Sequence, residues 1–497
     1  MGRKVVLASF AVLLITLSGP SPARPNRADR ELEARLRAHI EVLASDDFDG
    51  REPGTDGEAR TLRYLGREWY NIGLVSGTND PGNEWFAPVT LVAREPAASS
   101  ARFLRKGYRT PIAPQDVLVL TSGKRSLVRN APLLFLGRAE GAEFTRNELA
   151  GRIAVLLDGD TPDSKRQNEL LAMGASAVLT VLDGDRNMEE VAARRQRSGY
   201  ALADDSLGGD LEAFISRDSM EMLLKGTAHS LDDLEKAAAE PGFAPFTLDV
   251  SASLEATTRE TTIHTHNLIA KLPGKHPEAG AVLFLAHWDH FGECGDETAE
   301  DRICNGAIDN ASGVAALTEV ARRLARGPQL DRDVYFLSTT AEELGLLGAH
   351  AFAENPPLPL DHIVAAFNID SDAIAPAGTP FTIVGRGMTG LDSEIAKVAR
   401  AGHFKLLVND EANEYVRRQD GWALLQHDIP AVMVTTAYGK IELMRDFFEG
   451  DYHRPSDDLE HLSHPLQLGG AMDDVKMLTA LGRWFADPRK VPFKAGL

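Results

Sequence analysis

The spacing of hydrophobic and polar positions changes twice along the chain. Residues 28–76 predict two amphipathic helices around a loop of turn residues, with the second helix running from about Gly57 to Ile72 and ending at Gly73. Residues 110–255 alternate short apolar runs with turn clusters, which predicts a small β-rich unit with one or two helices, inserted in a larger domain. Its predicted strands are Val117–Leu120, Leu133–Leu136, Ile153–Leu157, Ala177–Leu182 and Phe246–Leu254, and its predicted helices lie near Lys165–Met173 and Arg217–Leu224.

From about Asn267 the pattern becomes one of alternating buried strands and helices. The apolar runs are nearly continuous, as is typical of strands covered on both faces. The predicted helix Ser312–Arg326 carries its apolar residues on one face. The predicted fold class is therefore α/β. The four predicted strands of this part are Val282–Ala286, Val334–Ser338, Ile363–Ile369 and Ala431–Thr435.

The first 23 residues have the layout of a secretory signal peptide. Arg3 and Lys4 precede the apolar run Val5–Leu17, and Ser21-Pro22-Ala23 supplies small residues for a cleavage site. The run is shorter than the roughly 20 residues that span a bilayer. We therefore expect cleavage after Ala23, export to the periplasm or the extracellular space, and no membrane span in the mature chain. A retained anchor is the alternative.

Composition indicates an acidic globular protein. The 497 residues are 43% hydrophobic and 25% charged, which is ordinary globular usage and disfavours a wholly disordered chain or a polytopic membrane protein. The formal net charge is −20, which disfavours nucleic-acid binding because phosphate neutralisation needs a basic surface. The only two cysteines cannot form a disulfide framework or a cysteine-based zinc finger. After export, Cys294 and Cys304 are expected to form a disulfide bond, with two free thiols as the alternative.

Histidines and carboxylates stand at the ends of several predicted strands. Open α/β sheets bind ligands at the carboxyl ends of their strands, and zinc takes imidazole and carboxylate ligands. Two histidines with three or more carboxylates exceed the needs of one tetrahedral ion and suit two ions that share a carboxylate and a water molecule. Taken singly, each such residue is more often a cap or a hydrogen-bonding group than a metal ligand. The segments are His287-Trp288-Asp289, Asp309-Asn310, Glu342-Glu343, Asn368-Ile369-Asp370 and Tyr452-His453.

In this order the segments resemble the co-catalytic zinc aminopeptidase family, which is related to glutamate carboxypeptidase II and the transferrin receptor. The resemblance extends over nearly the whole mature chain, and Ala44–Arg51 is similar to the family's N-terminal signature. It implies a zinc exopeptidase fold, in which helices flank a mixed, mostly parallel central sheet. The implied units are a signal peptide over 1–23, an N-terminal helical part of the peptidase domain over 24–109, an inserted protease-associated domain over 110–255, and a zinc peptidase catalytic domain over 256–497.

The resemblance also implies a role for each site residue and two Zn²⁺ ions per chain. Asp309 matches the carboxylate that bridges both ions, and Glu342 matches the general base. Asp289 matches the carboxylate that orients the imidazole of His287. A cis peptide bond between Asp309 and Asn310 is implied as well. The five implied metal ligands are His287, Asp309, Glu343, Asp370 and His453, with His287 and Asp370 on one ion and Glu343 and His453 on the other.

Two stretches depart from the family pattern. The family often has Ser-Asp-His before the last strand, whereas here only Asp420 of that segment is retained. Asp372 stands in a stretch after Asp370 that is commonly more apolar. Both changes are expected to alter the substrate pocket rather than the metal ligands. Tyr415 is a candidate donor to the oxyanion of the reaction or, alternatively, a packed surface tyrosine.

The implied function is an exported peptidase that removes N-terminal residues from peptide substrates. Zinc would activate a water molecule, and Glu342 would pass its proton to the leaving amine. Carboxypeptidase, dipeptidase and glutaminyl cyclase activities are alternatives on the same fold, although cyclases of this fold use one zinc ion. A non-catalytic binding or receptor-like protein is the alternative from another class, and the intact Glu342 and ligand set argue against it.

Overall fold

A computed structural model describes residues 26–82, 85–138, 144–159, 163–183, 188–195, 199–204, 210–240, 242–296 and 298–492. The predicted signal peptide lies outside these residues. Within them, no helix combines the length and the apolar character that a membrane crossing requires.

The described residues contain fifteen strands, which join into one continuous hydrogen-bonded sheet. They are β1 Val75–Ser76, β2 Phe86–Arg105, β3 Tyr108–Thr110, β4 Val117–Thr121, β5 Arg125–Phe135, β6 Ile153–Leu157, β7 Ala177–Val181, β8 Gly199–Leu202, β9 Leu211–Ile215, β10 Phe246–Leu272, β11 Ala281–His287, β12 Asp333–Thr339, β13 Ile363–Asn368, β14 Thr382–Val384 and β15 Ala431–Thr435.

The described helices cover both faces of this sheet. They are α1 Arg27–Leu43, α2 Asp56–Ile72, α3 Arg146–Leu149, α4 Asp163–Ala172, α5 Met188–Arg195, α6 Arg217–Leu224, α7 Leu231–Ala239, α8 Gly313–Ala325, α9 Leu347–Glu354, α10 Asp392–Ala401, α11 Gly421–Leu425, α12 Ile441–Glu449 and α13 Leu468–Phe485. Short 3₁₀ helices lie at Asp46–Arg51, Pro114–Asp116, Pro277–Ala279, Leu360–His362, Asp410–Arg418 and Ala437–Lys440.

The two N-terminal helices form as the sequence predicts. The side chain of Asn26 accepts a hydrogen bond from the first turn of α1 and so caps its free amide groups. Gly73 ends α2 with φ of 96°, a left-handed conformation that glycine adopts without steric cost. Both helices pack their apolar residues against the sheet, where Trp69 of α2 is fully buried.

The C-terminal half of the sheet confirms the predicted mixed, mostly parallel arrangement. Its strand order is β14-β15-β13-β11-β12-β10, in which β15, β13, β11 and β12 run parallel and the two outer strands run antiparallel. Every residue of β11 and β12 is buried, which explains their uninterrupted apolar sequences. Phe284 stacks between Phe336 and Phe367 at ring-centre distances of 5.9 and 5.3 Å. These rings lie in a core that α1, α2, α8 and α13 also line.

A second core lies around the other half of the sheet, whose order continues β10-β5-β6-β7-β9-β4. Phe135 is fully buried there and contacts Phe243 and Phe246 at ring-centre distances of 5.5 and 5.4 Å. The strand β10 links the two halves, because it pairs with β12 through one part of its length and with β5 through another.

This second half differs from the sequence prediction in its strands and in its helices. The predicted strand Phe246–Leu254 is part of the 27-residue strand β10, so the boundary placed between residues 255 and 256 lies inside a strand. Its long partner β2 was not predicted, because residues 95–100 are exposed and carry no alternation of apolar and polar residues. Five helices, α3 to α7, lie in this part rather than one or two.

Candidate metal centre

The predicted site residues converge at one edge of the C-terminal half-sheet. Three neighbouring parallel strands end at this edge, as the rule for open α/β sheets leads one to expect. His287 ends β11, Glu342 and Glu343 follow β12, Asp370 follows β13, Asp309 lies in the distorted helical turn Ala307–Ser312 before α8, and His453 lies in the turn after α12.

Asp309 lies between the two histidines and directs one carboxylate oxygen towards each. Its Oδ1 is 3.2 Å from Nε2 of His287, and its Oδ2 is 3.4 Å from Nε2 of His453. Beyond this pair, Asp370 Oδ1 is 3.6 Å from Nε2 of His287, and Glu343 Oε2 is 2.9 Å from Nε2 of His453. The arrangement therefore has two halves, each with one histidine and one carboxylate, around a shared Asp309.

The ring nitrogens of this cluster fit a divalent cation. Nε2 of His287 and Nε2 of His453 are buried and have no hydrogen-bond partner among the described residues. Buried polar atoms normally have hydrogen-bond partners. A buried imidazole nitrogen that points at carboxylates without such a partner is therefore typical of a metal ligand. His287, Asp309 and Asp370 bring ligand atoms within 4.8 Å of one another.

His290 lies in the cluster and was not identified from the sequence. Its Nδ1 is 2.5 Å from Oε1 of Glu343, and its Nε2 is buried without a hydrogen-bond partner. With Asp309 and Glu343 it forms another group of three ligand atoms. The sequence signal was its position immediately after Asp289, which places it beside the same strand end. His290 is suited to hold the Glu343 carboxylate in place, since a ligand of this kind is usually hydrogen-bonded on its outer side.

Asp289 binds the backbone of the segment that carries Glu342 and Glu343. Its Oδ1 accepts a hydrogen bond from the Glu342 amide at 3.2 Å, and its Oδ2 accepts one from the Glu343 amide at 3.4 Å. The same Oδ1 lies 3.8 Å from Nδ1 of His287, whose closer contact is the main-chain oxygen of Asp289 at 3.2 Å. The fully buried Asp289 therefore links two strand ends of the cluster.

Glu342 is a buried carboxylate among other carboxylates. Only 8% of it is exposed. Burial raises the pKa of Glu342 well above its usual range, the nearby His287 opposes this shift, and Glu343 and Asp420 add to it. A group of this kind favours the protonated form, which suits a carboxylate that accepts and returns a proton.

Arg51 and Asp457 organise the loops that meet at Asp309. The buried guanidinium of Arg51 donates hydrogen bonds to the carbonyl oxygens of Trp288 at 2.8 Å and Gly306 at 3.0 Å. The buried carboxylate of Asp457 accepts hydrogen bonds from the amide of the residue before Asp309 at 2.8 Å and from the amide of Asp309 itself at 3.0 Å. Neither contact was predicted from the sequence.

The peptide bond between Asp309 and Asn310 is cis, as the resemblance implied. The side chain of Asn310 donates a hydrogen bond to the carbonyl oxygen of Ile369 at 3.0 Å. Its Oδ1 accepts hydrogen bonds from the amides of Gly313 at 2.9 Å and Ser371 at 3.2 Å. Asn310 thus connects the turn before α8 to the segment around Asp370.

Asp420, which the family pattern shares, and Asp372, which departs from it, are both buried. Asp420 is buried and accepts a hydrogen bond from the hydroxyl of Thr339, and burial raises its pKa to about 6. Asp372 is buried beside Thr435, at 3.3 Å, and burial raises its pKa to about 8. Tyr415 packs against Tyr438 and Phe448 with ring centres 5.3 Å apart in each case, which favours the packed-tyrosine alternative.

Cys294 and Cys304 form the expected disulfide bond, with their Cα atoms 5.7 Å apart. The bond closes the loop that follows the first strand end and leads to Gly306. The sulfur of Cys294 lies 3.5 Å from the carbonyl oxygen of His453. The disulfide therefore lies next to one of the candidate ligands.

Known proteins resemble this chain in its fold and in the sequence of its C-terminal half. The fold, a mixed, mostly parallel sheet flanked by helices, is that of the zinc exopeptidases. Residues 267–471, which contain all five implied ligands, match the model of peptidase family M28. The predicted resemblance to the co-catalytic zinc aminopeptidases is thereby confirmed.

Individual relatives agree with this class. The aminopeptidase YwaD of Bacillus subtilis (strain 168) is 25% identical over 226 residues, which are 45% of this chain and 40% of that protein. A vacuolar membrane protease of Pyricularia oryzae is 29% identical over 206 residues, which are 40% of this chain and 17% of that protein. The chain thus spans less than half the length of these two relatives.

A solved structure extends the likeness of the fold. The aminopeptidase of Aneurinibacillus sp. strain AM-1 superposes with a TM-score of 0.54 at 16% identity, covering 94% of this chain and 98% of that one. This match confirms the predicted fold class over nearly the whole chain.

Proposed function

We propose that the protein is a zinc-dependent aminopeptidase that hydrolyses the N-terminal peptide bond of peptides at a centre with two metal ions. The observation that supports it best is the position of Asp309, which directs one oxygen towards each of two unpaired histidine nitrogens. Each histidine has its own second carboxylate, Asp370 or Glu343. The relatives named above are aminopeptidases or a protease, which agrees with this chemistry.

His287 and Asp370 would hold one ion, Glu343 and His453 the other, and Asp309 both. When bound there, Zn²⁺ would supply a Lewis acid for the scissile carbonyl and would lower the pKa of a coordinated water molecule. Glu342 is the general base: it takes the proton of the attacking water and delivers it to the leaving amine. The remaining protein groups hold these residues in place, because Asp289 fixes the amides of Glu342 and Glu343.

We further propose that the chain is exported and that residues 110–255 form a protease-associated domain. The pattern of residues 1–23 supports export. The disulfide between Cys294 and Cys304 agrees with an oxidising compartment. The separate core around Phe135 supports an inserted unit.

The test compares wild type with Glu342→Gln in metal content and in hydrolysis of a panel of aminoacyl-anilides. We expect two zinc ions per chain in both proteins and a loss of activity of about 10²- to 10⁴-fold in Glu342→Gln. Glu354→Gln, at an exposed position at the end of α9, is the matched control and should keep both metal and activity.

Other results would lead to other functions. Two ions without hydrolysis of any substrate with a free N-terminus would move the reaction to carboxypeptidase or dipeptidase chemistry. One ion with cyclisation of N-terminal glutamine would favour a glutaminyl cyclase. A zinc-loaded preparation that retains no metal would overturn the catalytic proposal and favour a binding protein.

A further inference from the structure

An exposed arginine stands beside the candidate metal centre without a role in holding it. Arg418 is the last residue of the 3₁₀ helix Asp410–Arg418. Its guanidinium carbon lies 4.7 Å from the ring centre of Phe448 and 5.3 Å from that of Tyr452. The Tyr452 ring in turn stacks on His453, with ring centres 3.6 Å apart and planes at 25°. These distances place the guanidinium within about 9 Å of the His453 ring.

The electrostatics of two tyrosines place Arg418 and the metal-site carboxylates around the same space. The Asp309 carboxylate and the Arg418 guanidinium both lie within electrostatic range of Tyr438 and of Tyr452. Arg418 is therefore a positive charge at the rim of a site whose own side chains are mostly acidic.

The Arg418 side chain is exposed and available for hydrogen bonding. No carboxylate among the described residues pairs with this guanidinium, although many arginines elsewhere in the structure have such partners. The guanidinium lies over the rings of Phe448 and Tyr452, whose planes are at 79° to each other. Its N–H groups lie in the plane of the guanidinium and form a fork that matches the two oxygens of a carboxylate.

We propose that Arg418 binds a carboxylate group of the substrate and so makes the enzyme prefer peptides that carry one next to the scissile bond. This inference rests on the proposed peptidase function. The carboxylate has two sources: the C-terminus of a dipeptide, or an acidic side chain on the residue after the scissile bond. Either carboxylate lies about one residue from the scissile carbonyl, since successive Cα atoms are about 3.8 Å apart. The distance from the His453 ring to the Arg418 guanidinium is long enough for either kind of substrate.

The test measures kcat and KM separately for four substrates: Ala-Ala, Ala-Ala amide, Ala-Glu amide and Ala-Gln amide. Wild type is compared with Arg418→Gln and Arg418→Lys. Arg417→Gln is the matched control, because Arg417 is also exposed and lies over an aromatic ring, that of Trp422, at 5.1 Å. Zinc content and thermal unfolding are measured for every variant.

We expect Arg418→Gln to raise KM about 10- to 100-fold for carboxylate-bearing substrates and to leave their neutral partners nearly unchanged. Arg418→Lys should keep part of the preference, because it retains the charge and loses the planar fork. A preference confined to Ala-Ala over its amide identifies the C-terminal carboxylate, and one confined to Ala-Glu amide identifies the side chain. Equal effects on acidic and neutral substrates, or the same effect in Arg417→Gln, would overturn the inference.

A binding measurement separates this inference from the proposed function. Zinc-loaded Glu342→Gln, with and without Arg418→Gln, is titrated with the same four peptides in a calorimeter. If wild type hydrolyses none of them but binding still depends on both the carboxylate and Arg418, the peptidase proposal fails and the carboxylate site stands. If hydrolysis occurs and neither KM nor binding depends on the carboxylate, Arg418 has no such role and the peptidase proposal stands.

Discussion

The two cores of the molecule are built alike and differ in what they bury besides apolar side chains. The second core, between residues 103 and 256, contains one carboxylate of the described residues that is almost fully buried, Asp158, and it contacts the amide of the next residue. The first core has a group of buried carboxylates and histidines at one edge of its sheet, and several of their ring nitrogens have no hydrogen-bond partner. A folded α/β core does not need such groups, because burying charge costs free energy. Their clustering at one edge of the first core is therefore what we expect of a functional site.

The largest expected effect compares one phenylalanine from each core. Phe135→Ala and Phe284→Ala both remove a fully buried ring and should each lower the free energy of unfolding by about 3–5 kcal/mol. Only Phe284→Ala should also weaken zinc binding, because Phe284 lies on β11 three residues before His287. Denaturant unfolding measures the first effect and zinc titration of the folded variants measures the second. Equal losses of zinc affinity in the two variants would contradict a functional difference between the cores.

A second prediction uses a buried carboxylate of the first core that has positive partners. Burial alone would raise the pKa of Glu319, but hydrogen bonds from His39, Arg35 and Arg322 lower it to about 2. Because the folded pKa lies below the unfolded value, this stabilisation is complete above about pH 5 and is lost as the pH falls towards 2. Glu319→Gln should therefore be less stable than wild type by roughly 2–3 kcal/mol at pH 7, and the difference should shrink below pH 5.

Unfolding curves between pH 3 and pH 7 measure this difference, with the exposed Glu41→Gln as the control. Zinc binding should be unchanged at pH 7, since Glu319 pairs with arginines on α1 and α8 and lies outside the metal cluster. A difference in stability that stays constant from pH 7 to pH 3 would show that the ionised form of Glu319 contributes nothing to folding.

The four parallel strands of the first core were predictable because burial on both faces leaves nearly continuous apolar sequences. Ala431–Thr435 was predicted with its observed bounds, and Ile363–Ile369 within one residue. The strand β2 was not predictable in this way, because its middle is exposed and only pairing with β10 over most of its length holds it extended. Long-range pairing of this kind leaves no local signal in the sequence.

The candidate ligands were recognisable because each belongs to a short motif beside a strand end. The pairing of each histidine with its carboxylate was implied by the resemblance to a family and not by the spacing of the residues. The distances around Asp309 agree with that pairing. Arg51 was not identified, because its role consists of hydrogen bonds to carbonyl oxygens on loops more than 200 residues away. The role of a side chain that binds the backbone of distant loops cannot be predicted from the spacing of residues in the sequence.

The smallest expected effect concerns Asp457, which holds the backbone at Asp309 without being a candidate ligand. Its two carboxylate oxygens accept hydrogen bonds from the amides of Ile308 and Asp309. Asp457→Asn keeps the volume but replaces one acceptor with an NH₂ group that would face an amide N–H. We expect zinc affinity to fall about 10- to 100-fold, because groups that orient a metal ligand usually contribute this much.

Asp458→Asn is the matched control for this prediction. Asp458 also accepts hydrogen bonds from two backbone amides, those of Glu460 and His461, but these belong to a surface turn and not to a ligand segment. Zinc affinity is measured by competition with a chelator, and the unfolding of the metal-free variants shows whether either substitution damages the fold. A loss of affinity in Asp457→Asn alone, at unchanged stability, means that the first core uses buried carboxylates to position its ligands as well as to supply them. Equal losses in both variants would instead assign the effect to the removal of negative charge near the site.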